Sequence, residues 1–128
     1  MKGYVPKKGD FIAVTFDPQS GHEQKGRRPA LVVSNTLFNE QTGLTIVCPL
    51  TTTDRGYPFH VTVTKNPDVK GFVMVEQVKS IDYRTRQAKL IGKASDELLD
   101  EVLSILDACI YLSLFNNSIS GPGFSYRS

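Results

Sequence analysis

Short apolar runs separated by turn-forming residues constrain the fold of this chain more than any other feature. The runs are rich in Val, Ile, Phe and Thr and are flanked by Gly, Pro, Asn or Asp, a pattern typical of strands joined by turns. They occupy Phe11–Phe16, Ala30–Ser34, Leu44–Cys48, Phe59–Thr64, Gly71–Glu76 and Ala88–Ile91, with a weaker pattern over Val78–Asp82. No helical pattern lies between them to supply the crossovers that parallel strands need. The sequence therefore predicts a small antiparallel barrel.

One amphipathic helix is expected after the last strand. Ser95 is a favourable N-cap, and Asp96 and Glu97 complement the helix dipole in the first turn. Apolar residues then recur at helical spacing from Leu98 to Ile110. The apolar stripe is wide, which leaves room for a subunit contact. The predicted fold class is thus mainly β with a C-terminal helix.

The chain length of 128 residues predicts one domain, which we place at residues 1–115, followed by a flexible tail over 116–128. No apolar stretch of about 18 residues is present, and no apolar run follows the N-terminal basic residues. These features predict a cytoplasmic protein. Cys48 and Cys109 lie in apolar segments and are expected to be small buried residues.

The strand predicted at Phe59–Thr64 has the most regular alternation in the chain. It places Phe59, Val61 and Val63 towards the core, and the residues between them, including His60, outward. His60 is therefore expected at the surface or at a rim. A metal site is not expected, because His22 and His60 lack partners at ligand spacing and the cysteines form no C-x-x-C pair.

The loop from Asp17 to Pro29 is the strongest candidate for a binding site. It carries acid, amide and basic groups between two apolar runs, and its arginines match phosphate oxygens in charge and geometry. Residues 1–93 contain 14 basic and 8 acidic side chains, which suits an anionic ligand. Taken alone, this charge balance is explained better by an ordinary solvated surface than by a binding site for an anion. The candidate residues are Glu23, Gln24, Lys25, Arg27 and Arg28.

A second polar set, Thr51 to Thr53, follows the third predicted strand. If the second and third strands pair as an antiparallel hairpin, Arg28 and Thr51 become neighbours on one rim. A surface arginine beside a turn-capping threonine explains the same residues equally well. No P-loop, dinucleotide fingerprint or serine-nucleophile motif occurs.

At these residues the chain resembles the MazF/PemK family of bacterial toxin endoribonucleases. The specific block is the G-x-E-Q…G-x-R-P pattern formed by Gly21, Glu23, Gln24, Gly26, Arg28 and Pro29, joined to Thr51-Thr52, to Gly56-Tyr57-Pro58-Phe59 and to Glu76-Gln77-Val78-Lys79-Ser80-Ile81. The matching pieces run in order from residue 4 to about residue 92.

The resemblance implies an SH3-like barrel of the kind found in CcdB and MazF toxins, and a homodimer. It implies metal- and ribosome-independent cleavage of single-stranded RNA without a cofactor, and inhibition by an antitoxin with an acidic, flexible C-terminal segment. Position by position, Arg28 and Thr51 match the catalytic pair. Glu23, Gln24, Glu76, Gln77 and Lys79 match positions near the RNA groove.

The implied chemistry is physically reasonable, because RNA supplies its own nucleophile, the 2′-hydroxyl. The protein must align that group and stabilise charge on the phosphate oxygens, for which Arg28 and Thr51 are suitable. The general base stays open: Arg28 is a weak base, His22 does not belong to the family pattern, and Glu23 is chemically able but can instead read a base edge. Two alternatives also stay open: a toxin of the same fold that inhibits a DNA topoisomerase by binding, and a nucleic-acid-binding barrel that does not cut.

Overall fold

The computed structural model describes residues 3–16 and 27–111, which form an antiparallel sheet with two α-helices. The strands are β1 (Asp10–Thr15), β2 (Arg27–Val32), β3 (Leu44–Thr51), β4 (His60–Thr62), β5 (Phe72–Met74), β6 (Lys79–Asp82) and β7 (Lys89–Lys93). Helix α1 (Thr36–Thr42) lies between β2 and β3, a 3-10 helix (Val75–Gln77) follows β5, and helix α2 (Asp96–Ile110) ends the fold.

Strand β3 is the centre of the sheet because it pairs with three neighbours. The strand order is β4-β5-β3-β2-β1-β7, and β6 pairs with the first half of β3 while β5 pairs with its end. Every pairing is antiparallel, as the turn-separated pattern predicts. The described strands do not close into a ring, but the mainly antiparallel fold with a C-terminal helix is confirmed.

The two faces of the sheet carry separate apolar clusters. The first cluster, which includes Phe11, Leu31 and Leu50, is covered by Leu98 and Val102 of α2. The second cluster lies on the opposite face and is formed by Ile12, Val14, Ala30, Val32, Val47 and Ile81. Alternation along β1 and β2 sends neighbouring residues to opposite clusters. The strand residues therefore have defined faces, including those at the ends of β2 and β3.

Helix α1 was not expected from the strand-and-turn pattern. Its signals are local: the Asn35 side chain accepts a hydrogen bond from the Phe38 amide, and Gly43 ends the helix with φ of 74°. An Asn cap followed by a glycine in the left-handed region marks both ends of a short helix. At seven residues the helix is too short to act as a parallel crossover, so β2 and β3 still pair antiparallel.

The expected alternation of the fourth strand is wrong at its beginning. Phe59 is 43% exposed instead of buried, while the His60 side chain is only 3% exposed. The His60 amide donates to the carbonyl of Tyr57, so Phe59 belongs to a turn and the strand starts at His60. From Val61 onward the alternation holds, because Val61 is buried and Thr62 is exposed, but the strand ends at Thr62 and not at Thr64.

Helix α2 confirms the predicted cap and stripe. The Ser95 hydroxyl accepts from the Leu98 amide, and Leu98 and Val102 are buried. Cys48 is buried as expected, whereas Cys109, in the last turn of the helix, is exposed. Ile110 is 74% exposed on the same turn. Within the described residues, no helix is long and apolar enough to cross a membrane.

Candidate functional site

Arg28 and Thr51 lie side by side at the adjoining ends of β2 and β3. The ladder pairs Ala30 with Pro49, and continuing that register by two residues sets Arg28 opposite Thr51. Both residues line one cavity of about 320 Å³. The hairpin geometry expected from the sequence is therefore present, and the two side chains are close enough to contact one ligand.

The Thr51 side chain is oriented by its own loop. Its Oγ1 accepts a hydrogen bond from the Thr53 amide at 3.1 Å, which leaves the hydroxyl proton free to be donated outward. Gly71 packs against the same residue: a Cβ at Gly71 would lie 2.5 Å from the Thr51 carbonyl oxygen, and its φ is 123°. Only glycine is compatible with both conditions. The position of Thr51 thus depends on a close backbone approach from the residue that precedes β5.

The adjacent residues Arg27 and Arg28 differ in what holds them. The Arg27 guanidinium donates to the carbonyls of Ala13, Arg86 and Gln87 at 3.2, 3.4 and 2.9 Å, and to Thr15 Oγ1 at 3.2 Å. Arg28 is exposed and makes no hydrogen bond or ion pair with another described residue. Arg27 therefore ties β2 to β1 and to the turn before β7, while Arg28 has its donors available for a ligand.

Lys70 is a member of the site that the sequence pattern did not reveal. It lines the cavity of Arg28 and Thr51, and also a second cavity of about 190 Å³ that contains Arg28, Pro29 and Asp68. Its ammonium makes no ion pair among the described residues. In the sequence, Lys70 is distinguished only by its position one residue before Gly71. That position indicates the site only once the fold of the loop is known.

Lys79 shares a face of the sheet with Arg28. It pairs with Val47, and its Nζ lies 5.1 Å from the centre of the Phe16 ring, which packs on the second cluster. Arg28 projects to that face two residues before Ala30. Val47 and Thr51 are four residues apart on β3, so Lys79 lies roughly 13 Å along the strand from Thr51. A chain of phosphates can span that distance.

Glu76 and Gln77 are exposed on the 3-10 helix, which packs against α2. The Glu76 carboxylate contacts His60: its Oε2 lies 2.9 Å from the imidazole Nε2. Glu76 also lies near Cys48. Burial, followed by the Glu76 charge and by Cys109, raises the pKa of the Cys48 thiol to about 12. Glu76 thus belongs to a second locality, joined to Thr51 by the loop of residues 52–59.

That loop exposes two aromatic side chains. Tyr57 is 49% exposed and Phe59 lies close to it in sequence, also at the surface. Exposed aromatic rings are suited to stacking unpaired bases. The predicted site residues Glu23, Gln24 and Lys25 lie outside the described residues, as does the tail 116–128. Within the described part, no group of three or more His, Cys, Asp or Glu residues is arranged to hold a metal ion.

Comparison with known proteins identifies the family. Residues 7–110 match the PemK-like, MazF-like toxins of type II toxin–antitoxin systems. This chain belongs to that family. The endoribonuclease toxin MazF of Escherichia coli strain K12 is 41% identical to it over 107 residues, covering 84% of this chain and 96% of that protein.

Solved structures of the toxin family have the same fold. MazF of Deinococcus radiodurans aligns with a TM-score of 0.76 at 42% identity, over 84% of this chain and 98% of that one. A MazE–MazF structure from the same organism aligns with a TM-score of 0.75 at 36% identity, over 84% of this chain and 97% of that one. The MazF/PemK resemblance carried by the G-x-E-Q…G-x-R-P block is therefore confirmed.

Proposed function

We propose that this toxin is an endoribonuclease that cleaves single-stranded RNA, including mRNA, at specific sequences without a metal and without the ribosome. The observation that carries the proposal is the cavity shared by Arg28 and Thr51, where a guanidinium and a hydroxyl proton, neither bonded to another described residue, lie side by side. The endoribonuclease names of relatives such as Escherichia coli MazF support it.

The reaction we propose uses the 2′-hydroxyl of the RNA as nucleophile. The 2′-oxygen bonds to the adjacent phosphorus while the bond from phosphorus to the 5′-oxygen breaks, which yields a 2′,3′-cyclic phosphate and a 5′-hydroxyl. One proton leaves the 2′-oxygen and one reaches the 5′-oxygen. Arg28 donates to the non-bridging oxygens as their charge grows, and Thr51 adds a hydroxyl donor to the same phosphate.

Arg28 suits charge stabilisation better than proton abstraction, because guanidinium keeps its proton under all ordinary conditions. The rate enhancement then comes mainly from alignment and from preorganised donors, which in other enzymes contribute a factor of about 100 or more for each donor. Glu23, Gln24, Lys25, Arg27, Gln77 and Lys79 stay predicted RNA contacts. For Arg27 this RNA contact would add to the four hydrogen bonds that already hold its guanidinium.

The partners we propose follow from the surface and the family. A homodimer would cover part of the exposed apolar end of α2, where Cys109 and Ile110 lie. An antitoxin with an acidic segment would occupy the basic site around Arg28 and Lys70, and the MazE–MazF structures of Deinococcus radiodurans supply the precedent. RNA and that segment should then exclude each other; simultaneous binding would contradict this. We place the reaction in the cytoplasm, where mRNA is found.

The test compares wild type with Arg28→Ala and Thr51→Ala on a long single-stranded RNA in the presence of a chelator. Wild type should cut, leaving 2′,3′-cyclic phosphate ends, and each variant should lose about 100-fold or more in rate because one transition-state donor is missing. Thr51→Ser keeps the hydroxyl and should recover most of the activity. Gel mobility of 5′-labelled fragments and mapping of the new ends provide the measurement.

Lys8→Ala serves as the matched control for the loss of one positive charge, because Lys8 is exposed in the turn before β1, away from Arg28, and is not a predicted RNA contact. It should cut RNA at the wild-type rate. Arg27→Ala should instead lower the free energy of unfolding by roughly 1–3 kcal/mol, because the oxygens that hold its guanidinium lose a charged donor. RNA that wild type leaves intact would favour the topoisomerase-binding or the non-cutting alternative. Normal cleavage by Arg28→Ala would show that the catalytic group lies elsewhere.

A further inference from the structure

His60 is the most unusual buried polar group in the described part of the molecule. Its side chain is 3% exposed, its Nε2 is bonded to Glu76 Oε2 at 2.9 Å, and its Nδ1 has no hydrogen-bond partner among the described residues. A buried nitrogen without a partner costs free energy, and an apolar residue of similar size would avoid that cost. A functional role for the other nitrogen, Nε2, would explain why this cost is tolerated.

The backbone holds both members of the pair in place. His60 is opposite Met74 in the ladder of β4 and β5, and the Val75 amide donates to the Phe59 carbonyl just beyond it. Glu76, in the 3-10 helix that follows β5, is therefore held next to the imidazole of His60. Its side chain is 31% exposed, so the carboxylate reaches solvent; Oε2 is bonded to His60, and Oε1 makes no hydrogen bond to another described residue.

An exposed aromatic ring completes this locality. The Tyr57 ring lies 5.0 Å from the His60 ring, centre to centre, with the planes tilted by 56°, and Tyr57 is 49% exposed. His60 thus contacts both a stacking surface and a hydrogen-bond acceptor. A flat aromatic face beside a fixed carboxylate is the combination by which proteins recognise an unstacked base: the ring stacks, and the acceptor reads an N–H on the base edge.

We propose that Tyr57 and Glu76 form a base-recognition site and that His60 is its positioning residue. His60 donates from Nε2 to one carboxylate oxygen and directs the other, Oε1, towards an amino or imino N–H of a base stacked on Tyr57. Because the carboxylate is oriented before RNA arrives, binding does not have to order a freely rotating side chain. This inference rests on the proposed endoribonuclease function and assigns part of its sequence preference to these three residues.

The experiment measures relative cleavage rates at all sites of a long mixed-sequence RNA by mapping fragment 5′ ends. The full chain is compared with Glu76→Gln and three His60 variants. His60→Gln places an amide nitrogen near the Nε2 position, His60→Asn places it near Nδ1 where it cannot reach Glu76, and His60→Leu removes both nitrogens. His60→Asn keeps the comparison possible if His60→Leu does not fold.

His60→Leu and His60→Asn should change the relative rates between sites by about tenfold, within the range that one good base contact provides, and in the same direction as Glu76→Gln. His60→Gln should retain the wild-type preference. KM should rise at the preferred site while kcat stays within about threefold, because Arg28 and Thr51 are unaltered. Tyr57→Leu should raise KM similarly, whereas Tyr57→Phe should not.

A wild-type preference in His60→Asn or in Glu76→Gln would overturn the inference, and so would an equal change in His60→Gln and His60→Asn. Failure of the underlying function is a different result: wild type would then leave the RNA uncut. If wild type cuts and Arg28→Ala does not, while the His60 variants keep the wild-type preference, the endoribonuclease stands and only the recognition site is excluded.

Discussion

Arg27 and Arg28 show how neighbouring residues of one type come to have different roles. Alternation on β2 sends Arg27 towards β1 and the turn before β7, where four oxygens accept its protons: those of Ala13, Thr15, Arg86 and Gln87. It sends Arg28 to the opposite face, which carries the second cluster and no acceptor for Arg28 among the described residues. The first arginine stabilises the sheet edge, and the second is available to a phosphate.

Lys70 is expected to act as one phosphate contact beside Arg28. Lys70→Gln should weaken RNA binding and reduce the slope of log K against log salt by about 0.7, the value for the loss of one contact to a single strand. The measurement is RNA affinity of a cleavage-deficient background, Thr51→Ala, over a range of salt concentrations.

The matched control for Lys70 is Lys8→Gln. Lys8 is also an exposed lysine, but it lies in the turn before β1, beside the Val32 end of β2 and away from Arg28. It should leave the slope unchanged. Equal slopes for Lys70→Gln and the parent protein would show that Lys70 does not contact an RNA phosphate.

At the scale of elements, the site depends on the junction between β3 and the loop before β5. Gly71 approaches the Thr51 carbonyl so closely that a methyl group would occupy the same space. The next residue, Phe72, pairs with Thr51 in the ladder. The geometry of the proposed catalytic hydroxyl is therefore set by an element far away in sequence.

Gly71→Ala is expected to displace Thr51 and to lower RNA cleavage by at least tenfold, since small misplacements of a catalytic group are costly. It should also lower the free energy of unfolding by about 1–3 kcal/mol through backbone strain. Cleavage rate and urea unfolding are measured together.

Gly43→Ala separates strain from displacement. Gly43 has a φ of 74° at the end of α1, but a Cβ there meets nothing within 4 Å. This variant should lose comparable stability and keep its activity. If both variants lose cleavage to the same extent, strain alone explains the effect and the contact with Thr51 does not matter.

Local sequence patterns predicted most helices and strands, because caps, turns and hydrophobic period depend mainly on residues within the same segment. Ser95 with the apolar stripe behind it predicted α2, and the apolar runs predicted the strands. The beginning of β4 was wrong because a turn hydrogen bond from His60 to Tyr57 shifts the strand by one residue. Helix α1 was missed because seven residues hold too few turns for a clear helical period.

At the scale of the whole molecule, a buried thiol and a half-buried phenol make stability depend on alkaline pH. Burial and the nearby Glu76 charge raise the pKa of Cys48 from 9.0 to about 12. Burial and the hydrogen bond to Asp10 raise the pKa of Tyr4 as well. In both cases the folded state retains its proton more strongly than the unfolded chain does.

The free energy of unfolding should therefore be constant with respect to Cys48 below about pH 9 and fall as pH rises towards 12. One pH unit above the unfolded pKa, the loss is about 1.4 kcal/mol for this group. Urea unfolding at pH 8, 9 and 10 under reducing conditions measures it. Cys48→Ala should lack this component, so its difference from wild type should shrink between pH 8 and 10; a constant difference would contradict the assignment.

The sequence by itself determined the approximate positions of the strands, the capped C-terminal helix and the neighbourhood of Arg28 and Thr51, because propensity, period and hairpin register act over short distances. The tertiary structure alone decided that Arg27 is held by backbone carbonyls, that Lys70 joins the cavity, and that His60 turns inward to Glu76. These contacts join residues from different strands and loops. They exist only when the sheet brings distant segments together, so no local pattern can encode them.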